Sequence, residues 1–241
     1  MKKLTIIITM AGMGSRFRKA GYVVPKFMIE VKGKSLFEWS MDSLIDYNPH
    51  TDKYIFIVQK KDNAVRFIRD KCLNYGLSNV EIVEIDGLTD GQATTCMRAL
   101  SYCSLDSPIL IYNIDTYVEP HEMKYADLVG DGHIPCFKAV GDHWSFVKLG
   151  IEGDAAEITE KVRISDNCSI GAYYFSSAAL FEKAYHMLYS GERNLVKGEK
   201  YIAPMYNCLI KAGKRVTVSI LETSKVHVLG TPEELLQFKD S

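Results

Sequence analysis

The sequence predicts an α/β fold in which a mostly parallel central sheet is flanked by helices and becomes mixed in its second half. In the first half of the chain, short β-branched runs alternate with helical patterns, and such alternation indicates parallel strands covered by helices. The first run, residues 4–9 (LTIIIT), is continuously apolar, which is typical of a strand buried on both faces. The second half has strand-like runs without long helices between them, so some of its pairing should be antiparallel.

The remaining elements follow in chain order. In the first half we expect strands at residues 54–58, 80–85 and 108–112, and helices at residues 35–47, 62–75 and 92–103. Ser35 can cap the first of these helices with Glu38 at the capping-box position, and Gly76 ends the second. In the second half we expect strands at residues 134–140, 146–149, 156–161, 172–175 and 216–221, and helices at residues 178–189, 202–212 and 232–238.

Composition indicates a single cytoplasmic domain over residues 1–241. No linker, low-complexity tract or repeat divides the chain. A formal net charge of -1 argues against a nucleic-acid-binding surface, which needs excess Lys and Arg. No apolar run approaches the roughly 18 residues that span a bilayer. The six cysteines form no CxxC pair, as expected of free thiols in a reducing compartment.

A loop with two glycines follows the first strand directly. Ligands of parallel sheets bind at the carboxyl ends of the strands, where this loop must lie. Gly12 and Gly14 allow the backbone to approach an anion closely and to direct N–H groups at it. Arg16 and Lys26 add positive charge nearby; the alternative is an ordinary turn with solvated cations. The predicted phosphate loop comprises Ala11, Gly12, Met13, Gly14, Ser15 and Arg16.

Two other phosphate-binding motifs are excluded. A dinucleotide fingerprint beginning at Gly12 would need a third glycine where Phe17 stands. The Gly33-Lys34-Ser35 segment imitates the end of a Walker A loop, but Met28 occupies the position of its first glycine.

At this loop the sequence resembles the nucleotide-sugar pyrophosphorylase (sugar-phosphate nucleotidyltransferase) family. The family signature is A-G-x-G-[ST]-R-[LF], followed by P-K and then G-K-x-[LM]. The matching segments here are residues 11–17, 25–26 and 33–36, and weaker similarity extends over residues 87–94, 111–115, 144–146, 158–161, 170–175 and 229–233. The resemblance implies a Rossmann-like α/β fold and magnesium-dependent transfer of a nucleoside monophosphate from an NTP to a small phosphorylated acceptor, with release of pyrophosphate.

The resemblance also implies roles for individual residues. It makes residues 1–130 the NTP-binding half and residues 131–241 the acceptor-binding half. Arg16, Lys26 and Asp115 would be the catalytic residues, with Asp115 also the metal ligand. Asp115 follows a predicted buried strand, where a carboxylate is costly unless it is paired or metal-bound; the alternative is a helix N-cap. Gly91 would contact the nucleotide, and the acceptor residues would be Lys161, Trp144 and Gly171, although Trp144 is equally consistent with a core aromatic.

The chain departs from the family pattern at Val228. Many members carry a second metal-binding Asp two residues before the glycine of the closing G-T-P turn, and Val228 stands there in this chain. Magnesium commonly keeps several waters and takes ligands from substrate phosphates, so Asp115 together with the triphosphate could suffice.

The opening segment, residues 8–17, looks most like capsule-associated members of the family, among them cytidylyltransferases that act on a phosphorylated amide such as phosphoglutamine. This resemblance favours CTP as the nucleotide and a role in capsule or surface-polysaccharide precursor synthesis. The alternatives are a sugar-1-phosphate thymidylyl- or uridylyltransferase, a glycosyltransferase, and a non-catalytic nucleotide-binding protein; the second Asp of the glycosyltransferase Asp-x-Asp motif is missing at Tyr117. We expect no nucleic-acid or membrane partner, and a homo-oligomer is left open.

Overall fold

Most predicted elements are present in the computed structural model, which describes residues 3–191 and 194–240. The strands of this part of the chain are β1 (Leu4–Thr9), β2 (Glu30–Val31), β3 (Lys34–Ser35), β4 (Thr51–Gln59), β5 (Val80–Ile85), β6 (Ile109–Asn113), β7 (Thr116–Val118), β8 (Gly132–Lys138), β9 (Ser145–Leu149), β10 (Ala155–Glu160), β11 (Asn167–Ser169), β12 (Ala172–Phe175), β13 (Val216–Ile220) and β14 (Val226–Val228). The α-helices are α1 (Ser15–Lys19), α2 (Leu36–Asp42), α3 (Val65–Asn74), α4 (Gln92–Met97), α5 (Ala178–Tyr189), α6 (Tyr206–Lys211) and α7 (Pro232–Asp240).

Ten of these strands form one central sheet, in the order β10-β9-β11-β8-β12-β6-β1-β4-β5, with β13 beside β8. The strands of the first half, β5, β4, β1 and β6, pair in parallel. Strand β12 then pairs antiparallel with β6, and β8, β11, β9 and β10 continue with antiparallel pairing. The predicted fold class, parallel in the first half and mixed in the second, is therefore confirmed.

The sheet is buried on both faces, which explains the continuously apolar β1. Ile6 and Ile8 pack into one hydrophobic cluster, whereas Ile7 packs into a second cluster together with Ile55. Successive side chains of a strand point to opposite faces, so a strand between two cores has no face exposed to solvent. Each fully buried Ile contributes about 1.5–3 kcal/mol relative to an exposed one.

Two helices end earlier than predicted. The Ser35–Glu38 capping box starts α2 as expected, but the helix ends at Asp42 and a 3-10 helix over Ile45–His50 follows. Ser43 lies at this end, and its hydroxyl accepts a hydrogen bond from the Val118 N–H at 2.9 Å. Contact with β7 thus fixes the end of α2. In the same way α4 stops at Met97, and a 3-10 helix over Leu100–Tyr102 completes the predicted segment.

The end of the described chain returns to the carboxyl end of β6. Strand β14 pairs antiparallel with β7, and the Leu229 N–H donates to the Asp115 carbonyl oxygen at 2.8 Å. A third hydrophobic cluster contains Phe17 of α1 together with Leu235 and Phe238 of α7. These contacts hold the turn before α7 beside the loop after β1. Within the described residues, no helix combines the length and apolarity needed to cross a membrane.

Candidate active site

A cavity of about 600 Å³ opens at the carboxyl ends of β1 and β6. Every residue of the predicted phosphate loop lines it. Lys26, Gly91 and Asp115 line the same cavity. The structure therefore brings together all the residues predicted to bind the nucleotide or to catalyse its transfer.

The phosphate loop is held in place by the neighbouring strand. Gln59, buried at the end of β4, donates from Nε2 to the Ala11 carbonyl oxygen at 2.6 Å. Gly14 has a left-handed φ of 58° and forms the N-cap of α1, a conformation that favours glycine. Gly12 is different, because a Cβ placed there would meet no described atom within 4 Å. Packing does not require glycine at position 12, and its backbone faces open space.

Lys26 and Asp115 form an ion pair in the cavity. The Lys26 Nζ lies 2.8 Å from the Asp115 Oδ2, and only 16% of the lysine side chain is exposed, compared with 37% for the aspartate. The Nζ also lies 5.7 Å from the ring centroid of Phe17. Strand β7 follows Asp115 directly, so the carboxylate does not cap a helix. Asp115 is therefore an accessible carboxylate whose charge is balanced by one partly buried ammonium.

Arg16 is exposed in the first turn of α1 and lines the cavity. It has no ion-pair partner among the described residues, whereas Arg18 donates to the Met13 carbonyl oxygen at 3.3 Å and so supports the loop. The Arg16 guanidinium is thus available to an anion in the cavity.

Position 91 requires a glycine because the backbone of Lys200 packs against it. The φ of Gly91 is 137°, and a Cβ there would lie 2.4 Å from both the backbone N and O of Lys200. The Lys200 N–H donates to the Asp90 carbonyl oxygen at 2.8 Å, and the Ala93 N–H donates to the Lys200 carbonyl oxygen at 3.0 Å. This backbone pairing explains the glycine, and the contact of Gly91 with a base stays a prediction.

Several polar residues that line the cavity were not predicted as site residues, among them Gln92 and Asn113. Gln92 donates a hydrogen bond to Asn113, and both line the cavity. Gly171 lies behind this pair, because a Cβ on it would come within 2.5 Å of the Asn113 Nδ2. Gly171 therefore makes room for Asn113. A polar residue at the carboxyl end of a parallel strand was the signal that could have identified Asn113.

Lys161 and Trp144 lie in the second half of the chain and are not among the residues that line the cavity. The Lys161 Nζ donates to the Tyr201 hydroxyl and lies 3.9 Å from the Glu160 Oε1. Burial raises the pKa of the Glu160 carboxyl. The Glu199 carboxylate, which lines the cavity, contacts the same Tyr201. Lys161 therefore adjoins the cavity through Tyr201 and Glu199.

Trp144 is half-buried. Its Nε1 donates to the Val140 carbonyl oxygen at 2.9 Å, and its ring packs edge-on against Phe137 at 5.2 Å between centroids. These contacts hold the ring against the core, and its role as a wall of the acceptor pocket stays a prediction.

The structure of the nucleoside-diphosphate-sugar pyrophosphorylase from Vibrio cholerae RC9 is similar to this chain in both fold and sequence. It is 33% identical, with a TM-score of 0.90, and the alignment covers 98% of this chain and 100% of that chain. The chain belongs to the nucleoside-diphosphate-sugar pyrophosphorylase family. The predicted enzyme class, nucleotidyltransferase, is thereby confirmed.

Two more distant structures share the fold of this pyrophosphorylase family member. The inositol-1-phosphate CTP transferase from T. maritima is 17% identical, with a TM-score of 0.75 over 95% of this chain and 90% of that chain. A protein from Bacillus anthracis assigned as a glucose-1-phosphate thymidylyltransferase is also 17% identical, with a TM-score of 0.78 over 98% of this chain and 94% of that chain. No protein-family model matches the chain, and no curated protein sequence matches it.

The surroundings of Asp115 suit a divalent cation. No group of three or more His, Cys, Asp or Glu side chains forms a metal cage in the described residues. However, Gly230 leaves space beside the carboxylate, since a Cβ on Gly230 would lie 3.7 Å from the Asp115 Oδ2. Val228 pairs with Thr116 and packs against the hydrophobic cluster of Ile6 and Ile8. An oxygen-rich ligand such as a triphosphate would complete the coordination that magnesium prefers.

Proposed function

We propose that this family member is a cytidylyltransferase that transfers CMP from CTP to a small phosphorylated acceptor and releases pyrophosphate. The observation that carries the proposal is the convergence of the phosphate loop, Lys26 and Asp115 in one cavity, with the Lys26 Nζ 2.8 Å from the Asp115 Oδ2. A site with backbone N–H groups, two cations and one carboxylate suits a triphosphate with a metal ion. The products would serve the synthesis of capsule or surface-polysaccharide precursors.

The reaction follows from positioning and charge neutralisation, which supply most of the catalysis in phosphoryl transfer. A phosphate oxygen of the acceptor attacks the α-phosphorus of CTP, and the bond between that phosphorus and the oxygen bridging to the β-phosphate breaks. The phosphate loop and Arg16 bind the β- and γ-phosphates and then the leaving pyrophosphate. Lys26 stabilises charge at the α-phosphate. The acceptor phosphate is already anionic, so no general base is required.

Asp115 would hold Mg²⁺, which supplies charge stabilisation at the phosphates when it is bound with the nucleotide. The chain's own contribution is the accessible carboxylate and the space beside Gly230. Lys26 is directed into the cavity by its ion pair with this carboxylate.

We assign the acceptor phosphate to Lys161. Its ammonium lies among Tyr201, Glu160 and, one contact further, Glu199 at the edge of the cavity. Gly171 would contribute by positioning Asn113 on the cavity wall, and Trp144 would form a wall of the acceptor pocket. The acceptor would then lie on the second-half side of the same sheet edge.

The choice of CTP rests on the resemblance of residues 8–17 to capsule-associated cytidylyltransferases. The wall near Gly91 supports it, because two backbone hydrogen bonds fix this segment against Lys200. A fixed backbone wall can exclude a purine by size, and backbone groups can contact the edge of a pyrimidine.

A substrate panel tests the proposal. Pyrophosphate release is followed with CTP, UTP, dTTP, ATP and GTP, each against phosphoglutamine, phosphocholine, glycerol phosphate and sugar 1-phosphates, with Asp115→Asn as the blank. We expect the fastest release with CTP and an acceptor other than a hexose 1-phosphate. Best turnover with UTP or dTTP and glucose 1-phosphate would overturn the choice of CMP.

A further inference from the structure

The first turn of α7 contains an incomplete capping box. The Glu234 N–H donates to the Thr231 Oγ1 at 3.2 Å, as the Glu38 N–H does to Ser35 at the start of α2. In a capping box the glutamate carboxylate also accepts from the N-cap N–H. That second bond is formed at Ser35, but among the described residues it is not formed at Thr231. The Glu234 carboxylate therefore does not bind the Thr231 backbone N–H.

One oxygen of this carboxylate has no partner. The Glu234 Oε2 is buried and accepts no hydrogen bond in the part of the chain that the structure describes. Leaving a buried polar group unpaired costs free energy, more so for a charged group. Native proteins keep few such atoms, and a bound water or ion is one of the explanations for them.

The unpaired oxygen faces the same space as the Lys26–Asp115 ion pair. A Cβ placed on Gly230 would lie 3.2 Å from the Glu234 Oε2, 3.7 Å from the Asp115 Oδ2 and 4.0 Å from the Lys26 Nζ. Two carboxylate oxygens and one ammonium nitrogen therefore lie within 4.0 Å of one point beside the Gly230 Cα. Their charges sum to a net negative value, which a divalent cation would neutralise.

We propose that Glu234 is the second carboxylate of the magnesium site, in place of the Asp that many family members carry at the position of Val228. The inference rests on the metal site of the proposed function. Val228 packs against the hydrophobic core and offers no ligand, whereas the Glu234 carboxylate, in the first turn of α7, lies beside Gly230 as the Asp115 carboxylate does. A small oxygen-binding cation that retains waters can be shared by two such carboxylates directly or through a bound water.

Binding of Mn²⁺ alone tests this inference without turnover. The free Mn²⁺ signal in electron paramagnetic resonance is titrated with the wild type, Glu234→Gln, Asp115→Asn and Glu233→Gln. Glutamine at position 234 still suits a capping box. Glu233 is an exposed neighbour in the same turn, so Glu233→Gln is the matched control. We expect Glu234→Gln to weaken Mn²⁺ binding by about 10-fold or more, the scale of losses at metal-site partners, while Glu233→Gln binds as the wild type does. Thermal unfolding without metal should show Glu234→Gln at least as stable as the wild type.

The variants separate this inference from the proposed function. If Asp115→Asn loses Mn²⁺ affinity and Glu234→Gln keeps it, the role of Glu234 is refuted and the magnesium site stands. If all variants bind Mn²⁺ equally, or if the wild type binds no Mn²⁺ alone and none with CTP beyond what CTP binds by itself, the magnesium site and the role of Glu234 both fail. Equal weakening by Glu234→Gln and Glu233→Gln would also contradict the inference, because it would show a general effect of negative charge.

Discussion

At the scale of single residues, the two cations of the site differ in their surroundings. Lys26 is largely covered and paired with Asp115, whereas Arg16 is exposed and unpaired among the described residues. The Lys26 ammonium is therefore held at one position in the cavity, whereas the Arg16 side chain can adjust to a flexible polyphosphate. Substitution of either residue should lower turnover without destabilising the hydrophobic core.

Arg16→Ala and Lys26→Ala should each reduce kcat/KM strongly. Loss of one oriented charge contact in an active site costs about 2–4 kcal/mol of transition-state stabilisation, by analogy with oxyanion-hole donors. Lys19→Ala is the control, since Lys19 is an exposed cation of the same helix that does not line the cavity. Near-normal kcat/KM in both variants, with all three proteins folded by circular dichroism, would refute the phosphate-loop assignment.

The sequence placed the loop and Asp115 at the carboxyl ends of two strands, which meet at one edge of a parallel sheet, and it placed Lys26 near the loop. It did not predict why Gly91 and Gly171 are glycines. Those reasons depend on Lys200 and Asn113, which are distant in the sequence. Glu234 was also missed, because a glutamate three residues after Thr231 is sufficiently explained by a capping box.

At the scale of elements, the phosphate loop and the α4 segment use glycine for different reasons. Gly12 faces open space, whereas Gly91 is packed against the Lys200 backbone with a φ of 137°. The fold therefore requires the second glycine, whereas we propose that the first serves the nucleotide.

The different roles of Gly12 and Gly91 can be tested by replacing each glycine with alanine, which adds one methyl group. Gly12→Ala should keep the melting temperature of the wild type but weaken nucleotide binding, since the methyl group enters the space beside the loop. Gly91→Ala should lower stability by about 1–3 kcal/mol or more, the range for backbone strain. Thermal unfolding and NTP titration check both. A destabilised Gly12→Ala together with a stable Gly91→Ala would reverse the assignment.

β1, β5, β12 and α5 have the predicted bounds, whereas α2 and α4 end early and β4 extends beyond the predicted strand at both ends. The missed strands β2, β3, β7, β11 and β14 have two or three residues each. Such strands carry too few residues for a periodic pattern. They form because longer neighbours position them, as the hydrogen bond between Ser43 and Val118 positions β7.

At the scale of the whole molecule, the two halves of the sheet meet where β12 pairs with β6. The proposed nucleotide side is built from parallel strands, and the proposed acceptor side from antiparallel strands together with β13, which pairs in parallel with β8. The second half also contains a buried histidine, His133, on β8, which contacts the Thr217 hydroxyl at 2.8 Å and the Ser219 hydroxyl at 3.1 Å on β13.

His133 should make stability depend on pH. Burial lowers the pKa of His133 to about 4, below the usual 6.5, so between these values the unfolded chain binds a proton that the folded protein does not. Stability from this residue is therefore complete above pH 6.5 and falls as the pH drops toward 4, by about 3 kcal/mol in all. Urea unfolding at pH 7.5 and 5.0 should show a smaller loss for His133→Gln than for the wild type. Equal losses would show that His133 is not responsible.

The central claim is that this cavity transfers a nucleoside monophosphate, and the position of the transferred phosphorus tests it most directly. CTP labelled at the α-phosphorus, and separately at the γ-phosphorus, is incubated with the best acceptor of the substrate panel and either the wild type or Lys26→Ala. The account predicts that the wild type moves the α-label into the acceptor product and the γ-label into pyrophosphate, and that Lys26→Ala does so far more slowly. Transfer of the γ-label to the acceptor, or release of CMP without an acceptor product, would contradict it.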